Sequence, residues 1–194
     1  EQLNLSTEDA KLLEDLYESF KANGATLNKD DKEKYRKLSM DLSMLTLQFD
    51  QNALKDKNRF ELLITDENEL SGLPESARDA AAMLAKSKDK NGWLFNLSAP
   101  SYIPFMRYSD KRDLREKMYR EYMSVGNKGD EFDNKDIIKK IVNIRLEIAQ
   151  LMGFKNYAEY ALEHTMAKNS ANVYKLLNQL LEAYKPIAIN EKNG

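Results

Sequence analysis

The chain has 194 residues, of which 42% are hydrophobic and 32% are charged, and this suits one domain with a core and a well-solvated surface. Thirty basic residues stand against 32 acidic ones, and the net charge of −2 offers no broad cationic surface for nucleic acid or anionic lipid. The absence of cysteine excludes disulfides and thiolate metal sites, and no apolar run approaches the roughly 20 residues that span a bilayer.

Two amphipathic helices are predicted at the start of the chain. Ser6 or Thr7 can cap the first helix, and Asn23-Gly24 can end it. Its apolar face consists of Leu12, Leu13, Leu16, Tyr17 and Phe20. A second helix begins near Asp30 and has an apolar seam at three- and four-residue steps, formed by Tyr35, Leu38, Leu42, Leu45 and Phe49. Two heptads are too few for a free coiled coil, so the seam predicts packing within the chain.

The pattern then changes to short apolar runs. Residues 60–65 and 93–97 have strand length and turn formers at both sides, which predicts a small antiparallel two-stranded ribbon. Between them, Pro74 suits the first turn of a helix with a small-residue face. After the second run, Pro100 and Pro104 are incompatible with a regular helix, so an irregular segment is predicted.

Helices are predicted again for the rest of the chain. One covers 110–124, a loop covers 126–134, and Asp133 or Asn134 caps the next helix. That helix has a stripe formed by Ile137, Ile141, Ile144, Ile148 and Leu151, and Gly153 should end it in a left-handed conformation. A helix at 157–167 follows. Ser170 can cap the last helix, which Pro186 should bend or end. The predicted fold class is therefore mostly α, with the ribbon as its only sheet.

The only histidine, His164, directly follows Glu163. The zinc peptidase motif H-E-x-x-H needs two histidines one helical turn apart, which this chain cannot supply. A structural role for His164, stacked on or hydrogen-bonded to Tyr160, is the preferred interpretation. We identify no catalytic residue, no metal ligand and no substrate-binding residue.

Other candidate sites have ordinary explanations. Four tyrosines could donate hydrogen bonds to a substrate oxyanion, but packing with the hydroxyl directed outward is the commoner use; they are Tyr102, Tyr108, Tyr157 and Tyr160. The acidic loop 129–134 lacks the ligand order of an EF-hand, and the basic stretch 111–120 is typical of a salt-bridged helix face.

Several segments, in order along the chain, resemble a known family. Leu45, Phe49, Asn52 and Leu54 match L-x-x-x-F-x-x-N-x-L. Further matches are E-L-x-G-L-P at 69–74, P-x-Y-x-P-x-M at 100–106, R-x-L-R-E-x-x-Y at 112–119, D-N-x-x-I at 133–137 and G-F-x-N-Y-A at 153–158. Together they resemble the thimet oligopeptidase, oligopeptidase A and peptidyl-dipeptidase family of zinc metallopeptidases.

The resemblance implies an elongated helical fold divided by a deep channel. In the family, the two histidines of H-E-x-x-H and a further glutamate hold zinc at the bottom of the channel, and all lie downstream of the stretch matched here. No ligand carries over to this chain. The implied role is to frame a channel that admits short peptides, with zinc bound elsewhere in the parent protein.

We therefore expect residues 1–194 to form a single helical, non-catalytic fragment of a longer cytoplasmic chain. Its expected partners are the catalytic half of the parent chain and short peptide substrates, with a peptidyl-dipeptidase as one candidate for the parent; no nucleic acid or membrane is expected. In isolation it should self-associate through the faces at 137–151 and 173–181. The alternative is a free-standing helical interaction module with an exposed groove. A downstream H-E-x-x-H motif would distinguish the two.

Overall fold

The structure is a computed structural model that describes residues 5–193. It is mostly helical with one two-stranded sheet, as predicted. The helices are α1 Thr7–Ala22, α2 Lys29–Arg59, α3 Glu75–Ser87, α4 Ala99–Tyr108, α5 Arg112–Met123, α6 Lys135–Leu151, α7 Tyr157–Leu162 and α8 Ser170–Asn193. The strands are β1 Leu62–Ile64 and β2 Trp93–Phe95, and a 3₁₀ turn covers Glu67–Leu70.

The first helix begins and ends where the sequence predicts, and the second helix begins within one residue of its predicted start near Asp30. The Ser6 side chain accepts a hydrogen bond from the Asp9 amide at 3.1 Å, and the helix stops at Asn23, which is followed by the left-handed Gly24. Asn28 caps α2 by accepting from the Asp31 amide at 2.9 Å. The five predicted seam positions of α2 are half-buried, which confirms the seam.

Two compact units share the chain. One comprises residues 5–44 and 141–193, and the other comprises residues 45–140. We call them the terminal unit and the central unit. The expectation of a single fragment stays a prediction.

The central unit has the ribbon and most of the buried apolar residues. β1 and β2 are antiparallel, with Leu63 opposite Leu94, which confirms the predicted pairing. The core combines both strands with α3, α4 and α5, and Phe95 packs edge-on against Phe105 at 4.8 Å.

The prediction of an irregular segment at Pro100 and Pro104 was wrong, because α4 includes both prolines. Pro100 lies in the first turn, where a backbone N–H would be unpaired in any case. Pro104 lies inside the helix and costs about 3 kcal/mol there. The fully buried Phe105 follows it, so packing against the core outweighs that cost.

Three further expectations for the C-terminal part need correction. α8 does not end at Pro186 but continues to Asn193, so of the predicted bend or end only the end is wrong; the helix is exposed, so water can satisfy the carbonyl that the proline leaves unpaired. Asn169, not Ser170, caps α8 by accepting from the Asn172 amide at 2.9 Å. α7 ends at Leu162, because the backbone amide and the hydroxyl of Thr165 both donate to the Leu162 carbonyl.

The end of α6 confirms the role predicted for Gly153. Its φ is +88°. The Gly153 amide donates to the Gln150 carbonyl at 3.0 Å, and the Phe154 amide donates to the Ala149 carbonyl at 2.8 Å. These two bonds form a Schellman motif, which ends a helix with a left-handed residue.

We expect Gly153→Val to destabilise the chain by more than about 1 kcal/mol, because a β-branched residue is strained at positive φ. A Cβ at Gly153 has no atom within 4 Å, so the cost comes from the backbone and not from a clash. Chemical denaturation followed by far-UV circular dichroism measures it. Gly153→Asn is the control, since asparagine tolerates this conformation. Equal midpoints for valine and glycine would contradict the motif.

Large apolar side chains are exposed on α1 and α8. Neither helix has a buried residue in the part of the chain that the structure describes. On α8 the exposed residues are Tyr174, Leu176, Leu177, Leu180, Leu181, Tyr184, Ile187 and Ile189. The predicted stripe of α6, in contrast, is sheltered, since Ile137 and Ile148 are buried. Ile138, Val142 and Leu146 of α6 are nevertheless exposed, so both stretches expected to be free, 137–151 and 173–181, have exposed apolar side chains, with more of them on α8.

Candidate functional site

His164 lies in the turn that follows α7, and not on a helix as the sequence suggested. Its Nε2 is 3.4 Å from a carboxylate oxygen of Glu163, and both side chains are roughly half exposed. His164 lines a cleft of about 260 Å³, to which α1 contributes Glu18 and Lys21. Those two residues form their own ion pair at 3.2 Å.

The residues around His164 do not fit the zinc that the resemblance implies. A catalytic zinc takes three protein ligands and one water. Within residues 5–193, no group of three or more histidine, cysteine, aspartate or glutamate side chains could hold a metal ion. His164 and Glu163 are only two donors, and they are adjacent in sequence. That this stretch has no catalytic or metal-binding residue stays a prediction.

The tyrosines near His164 have structural partners. The Tyr160 hydroxyl donates to the Ala22 carbonyl at 2.8 Å, which joins α7 to the end of α1. Burial, with a smaller contribution from a hydrogen bond to Tyr35, raises the pKa of Tyr160 far above its usual value. Tyr160 therefore stays protonated, and its hydroxyl serves as a structural hydrogen-bond donor. The guanidinium of Arg145 lies 5.2 Å from the centre of the Tyr157 ring.

The other two candidate tyrosines belong to the central unit. Tyr102 stacks on Tyr122 with ring centres 4.3 Å apart, and burial raises the pKa of Tyr102. Arg107 lies 5.3 Å from the centre of the Tyr108 ring. All four tyrosines thus show the packing contacts that the sequence favoured over a role in chemistry.

Two residues of the matched motifs are directly bonded to each other. Asn52 of α2 donates to the Asn134 side chain at 3.1 Å, and Asn134 donates to the Phe49 carbonyl at 3.0 Å. Both asparagines are buried. Because an unpaired buried amide is costly, this pair fixes the end of the 126–134 loop on α2.

Asp56 lies one turn after Asn52 and is fully buried. Its carboxylate accepts from the Gly126 amide at 2.7 Å, and lies 2.7 Å from Arg59 Nε and 3.1 Å from Lys128 Nζ. Arg59 also pairs with Asp130 of the loop. The buried carboxylate therefore has donors from α2 and from the 126–134 loop, and it anchors the loop to the helix.

Sequence analysis did not single out Asp56. The available signal was its spacing of four residues from Asn52, which places both side chains on one face of α2. Polarity alone gave no reason to expect a buried carboxylate there.

The motif at 69–74 also has a structural explanation. Gly72 has a φ of +84°, and a Cβ there would lie 2.1 Å from the Tyr108 carbonyl oxygen. Beside it, the Ser71 hydroxyl donates to Asp110 at 2.7 Å, and the Asp110 amide donates to the Ser71 carbonyl at 2.9 Å. The turn is thus held against the C-terminal end of α4.

The terminal unit has an open groove of about 620 Å³ beside α2. Its walls include Tyr35, Ser39, Met40, Ser43 and Met44. Both methionines are more than half exposed. Flexible methionine side chains on a groove are common where helices bind partners.

The chain is similar in sequence to known peptidases. The model of peptidase family M3 matches residues 105–193. Oligopeptidase A of Salmonella typhimurium is 37% identical over 186 residues, which is 94% of this chain and 27% of the relative. Probable cytosolic oligopeptidase A of Arabidopsis thaliana is 39% identical over 171 residues, which is 84% of this chain and 24% of the relative.

A relative of lower sequence identity is named for a different activity. Dipeptidyl carboxypeptidase of Escherichia coli is 30% identical over 192 residues, which is 98% of this chain and 28% of the relative. The chain thus spans about a quarter of the length of the curated relatives it matches. None of the helices within residues 5–193 has the length and apolarity needed to cross a membrane.

Proposed function

Because this chain belongs to peptidase family M3 over the region that it spans, we propose that it is a helical, non-catalytic section of a zinc metallopeptidase that cleaves short peptides. Its role is to form part of the wall of the substrate channel. The zinc ligands belong to another part of the parent protein. A parent that releases C-terminal dipeptides is the finer form of the proposal, supported by the relative named dipeptidyl carboxypeptidase.

The exposed apolar face of α8 carries this proposal. It extends over a 24-residue helix with no buried residue in the described chain. Contiguous apolar patches above a few hundred Å² are uncommon on monomers and mark surfaces that another protein part covers. We propose the catalytic half of the parent chain as that part. A cytoplasmic location is proposed with it, following the relative named as probably cytosolic.

The 194-residue chain is expected to show no peptidase activity, with or without added zinc. A zinc-bound water needs three protein ligands to hold the metal, and this chain has one histidine and no cysteine. Incubation with short fluorogenic peptides measures this, with the complete parent chain as the positive control. Zinc-dependent turnover by the 194-residue chain that disappears in His164→Ala would overturn the proposal.

We also expect the isolated chain to self-associate through α8, because that face has no cover. Sedimentation velocity at several concentrations measures this. Leu177→Glu with Leu181→Glu should shift the chain toward monomer by placing charges on the face. Met83→Glu is the matched control, since Met83 is an exposed apolar residue of α3 in the central unit. Equal effects of the two changes would show that α8 is not the interface.

The second candidate function is a free-standing interaction module. The groove beside α2 favours it, since an amphipathic helix can lay its apolar side chains into such a groove. The continuing reading frame of the gene separates the two functions. An H-E-x-x-H motif downstream supports the peptidase section, and a stop codon directly after this stretch, together with a monomeric chain, supports the module.

A further inference from the structure

A cleft of about 310 Å³ in the central unit combines two matched motifs. Five side chains line it: Met106, Arg112, Arg115, Glu116 and Tyr119. Met106 is the last named position of P-x-Y-x-P-x-M, and the other four are named positions of R-x-L-R-E-x-x-Y. Unlike Asn52, Asn134 and Gly72, whose roles in packing are evident, these side chains converge on open space.

Both arginines of the cleft have guanidinium N–H groups without a hydrogen-bond partner among residues 5–193. Arg115 directs one terminal N–H to the carbonyl of the buried Ser109, which fixes the orientation of its guanidinium. Its remaining N–H groups have no partner among residues 5–193. The Arg112 side chain is exposed and has neither an ion pair nor a hydrogen bond to any described residue. The Tyr119 hydroxyl likewise has no hydrogen-bond partner within the described chain.

Glu116 does not neutralise these two arginines. One of its carboxylate oxygens lies 2.7 Å from both Nε and a terminal nitrogen of Arg120, on the exposed face of α5. Three other cations of the central unit do have carboxylate partners: Arg59 and Lys128 pair with Asp56, and Lys90 pairs with Glu61. Neither arginine of the cleft therefore has an ion pair with a described residue, and the carboxylate that shares the cleft is already paired with Arg120.

We propose that this cleft binds a carboxylate carried by a polypeptide. The planar guanidinium of arginine matches the two oxygens of a carboxylate, and charge-assisted bonds of this kind are about twice as strong as neutral ones. The Tyr119 hydroxyl supplies a further donor. Met106 and the Tyr119 ring provide an apolar flank, which suits an organic carboxylate better than inorganic phosphate. The volume lies at the lower end of the range for small-ligand pockets, so it suits one or two residues of a peptide.

The proposal concerns binding and does not depend on peptidase activity of the parent. Its test uses the 194-residue chain and an acetylated leucine dipeptide, either with a free C-terminal carboxylate or as the amide. Titration followed by NMR at the Tyr119 ring, or at the Met106 methyl group in the Tyr119→Phe variant, reports both affinity and location. The acid should bind at least about tenfold more tightly than the amide, which corresponds to one charge-assisted contact. Equal affinity would overturn the proposal.

A third probe, acetylated glutamate amide, distinguishes a side-chain carboxylate from a terminal one. Binding of either carboxylate supports the site, and the tighter ligand identifies its natural source. Inorganic phosphate is the fourth probe, and tighter binding of phosphate than of both carboxylates would overturn the choice of ligand.

The variants are Arg112→Gln and Tyr119→Phe. Both positions are exposed, so the fold should survive the changes. Arg112→Gln should abolish most of the preference for the acid over the amide, and Tyr119→Phe should reduce it severalfold. Lys117→Gln is the matched control, because it removes one charge from α5 without touching the cleft. An equal loss in Lys117→Gln would show that only general electrostatics attracts the ligand.

Discussion

Replacing Gly72 by alanine should destabilise the central unit by about 3–4 kcal/mol. Left-handed backbone costs an alanine roughly 1–2 kcal/mol, and the φ of +84° imposes this on any side chain. The added Cβ would lie 2.1 Å from the Tyr108 carbonyl oxygen, so the backbone must also shift. Overpacking of this kind typically adds 1–3 kcal/mol. Trp93, the only tryptophan, packs against the core of this unit, so its fluorescence during urea denaturation follows the unfolding.

Gly129→Ala is the matched control for this measurement. Gly129 has a φ of +72° but no atom within 4 Å of the position that a Cβ would take. Its substitution therefore includes the backbone strain without the clash. The difference between the two variants isolates the close approach of the 69–74 turn to α4. If both variants lose the same free energy of unfolding, the close approach of the turn to α4 is not the reason for glycine at position 72.

Removal of the buried carboxylate in Asp56→Ala should cost about 3–5 kcal/mol, the usual effect of breaking a buried charge pair on one side. The Gly126 amide would lose its acceptor, and Lys128, which is largely sheltered, would lose one of its two carboxylates. The same Trp93 fluorescence measures this change, since Asp56 and Trp93 belong to the same unit.

Asp50→Ala is the control for the Asp56 experiment. Asp50 lies on the same helix and is exposed, so the same change of residue type should alter the free energy of unfolding by no more than about 0.5 kcal/mol. A small effect of Asp56→Ala, close to that of Asp50→Ala, would contradict the role of Asp56 as the anchor of the 126–134 loop.

The sequence predicted the local structure of this chain where local chemistry decides it. The cap at Ser6, the seam of α2 and the left-handed Gly153 all follow from spacing and from intrinsic backbone preferences, and each is confirmed. The ribbon was also predictable, because two apolar runs of strand length are each bounded by turn formers.

The errors occurred where tertiary contacts override local preference. Pro104 stays within α4 because Phe105 packs into the core, and no pattern within that segment reveals the packing. Likewise, Thr165 closes a turn that ends α7 early, although the residues around His164 have adequate helix propensity. Propensity is a weak prior in such places.

The buried anchor Asp56 and the residues of the proposed cleft were the hardest to predict. Asp56 looked like one of many charged residues, since burial depends on elements 70 residues away along the chain. The cleft at Arg112 and Arg115 depends on the position of Met106 in the preceding helix. A basic helix face and an open anion site have the same sequence pattern, and only the free donors in the structure distinguish them.

The hydrogen bond between Asn52 and Asn134 has a consequence for the order of folding. The terminal unit closes through Tyr160 and Ala22, which are 138 residues apart. Once the central unit has folded, the two asparagines are held together. The loop that must still close between Ala22 and Tyr160 is then less than half as long as before. Each halving of a loop lowers its closure cost by roughly 0.6 kcal/mol. The central unit should therefore fold first, and Asn52→Ala should slow the folding of both the central and the terminal unit.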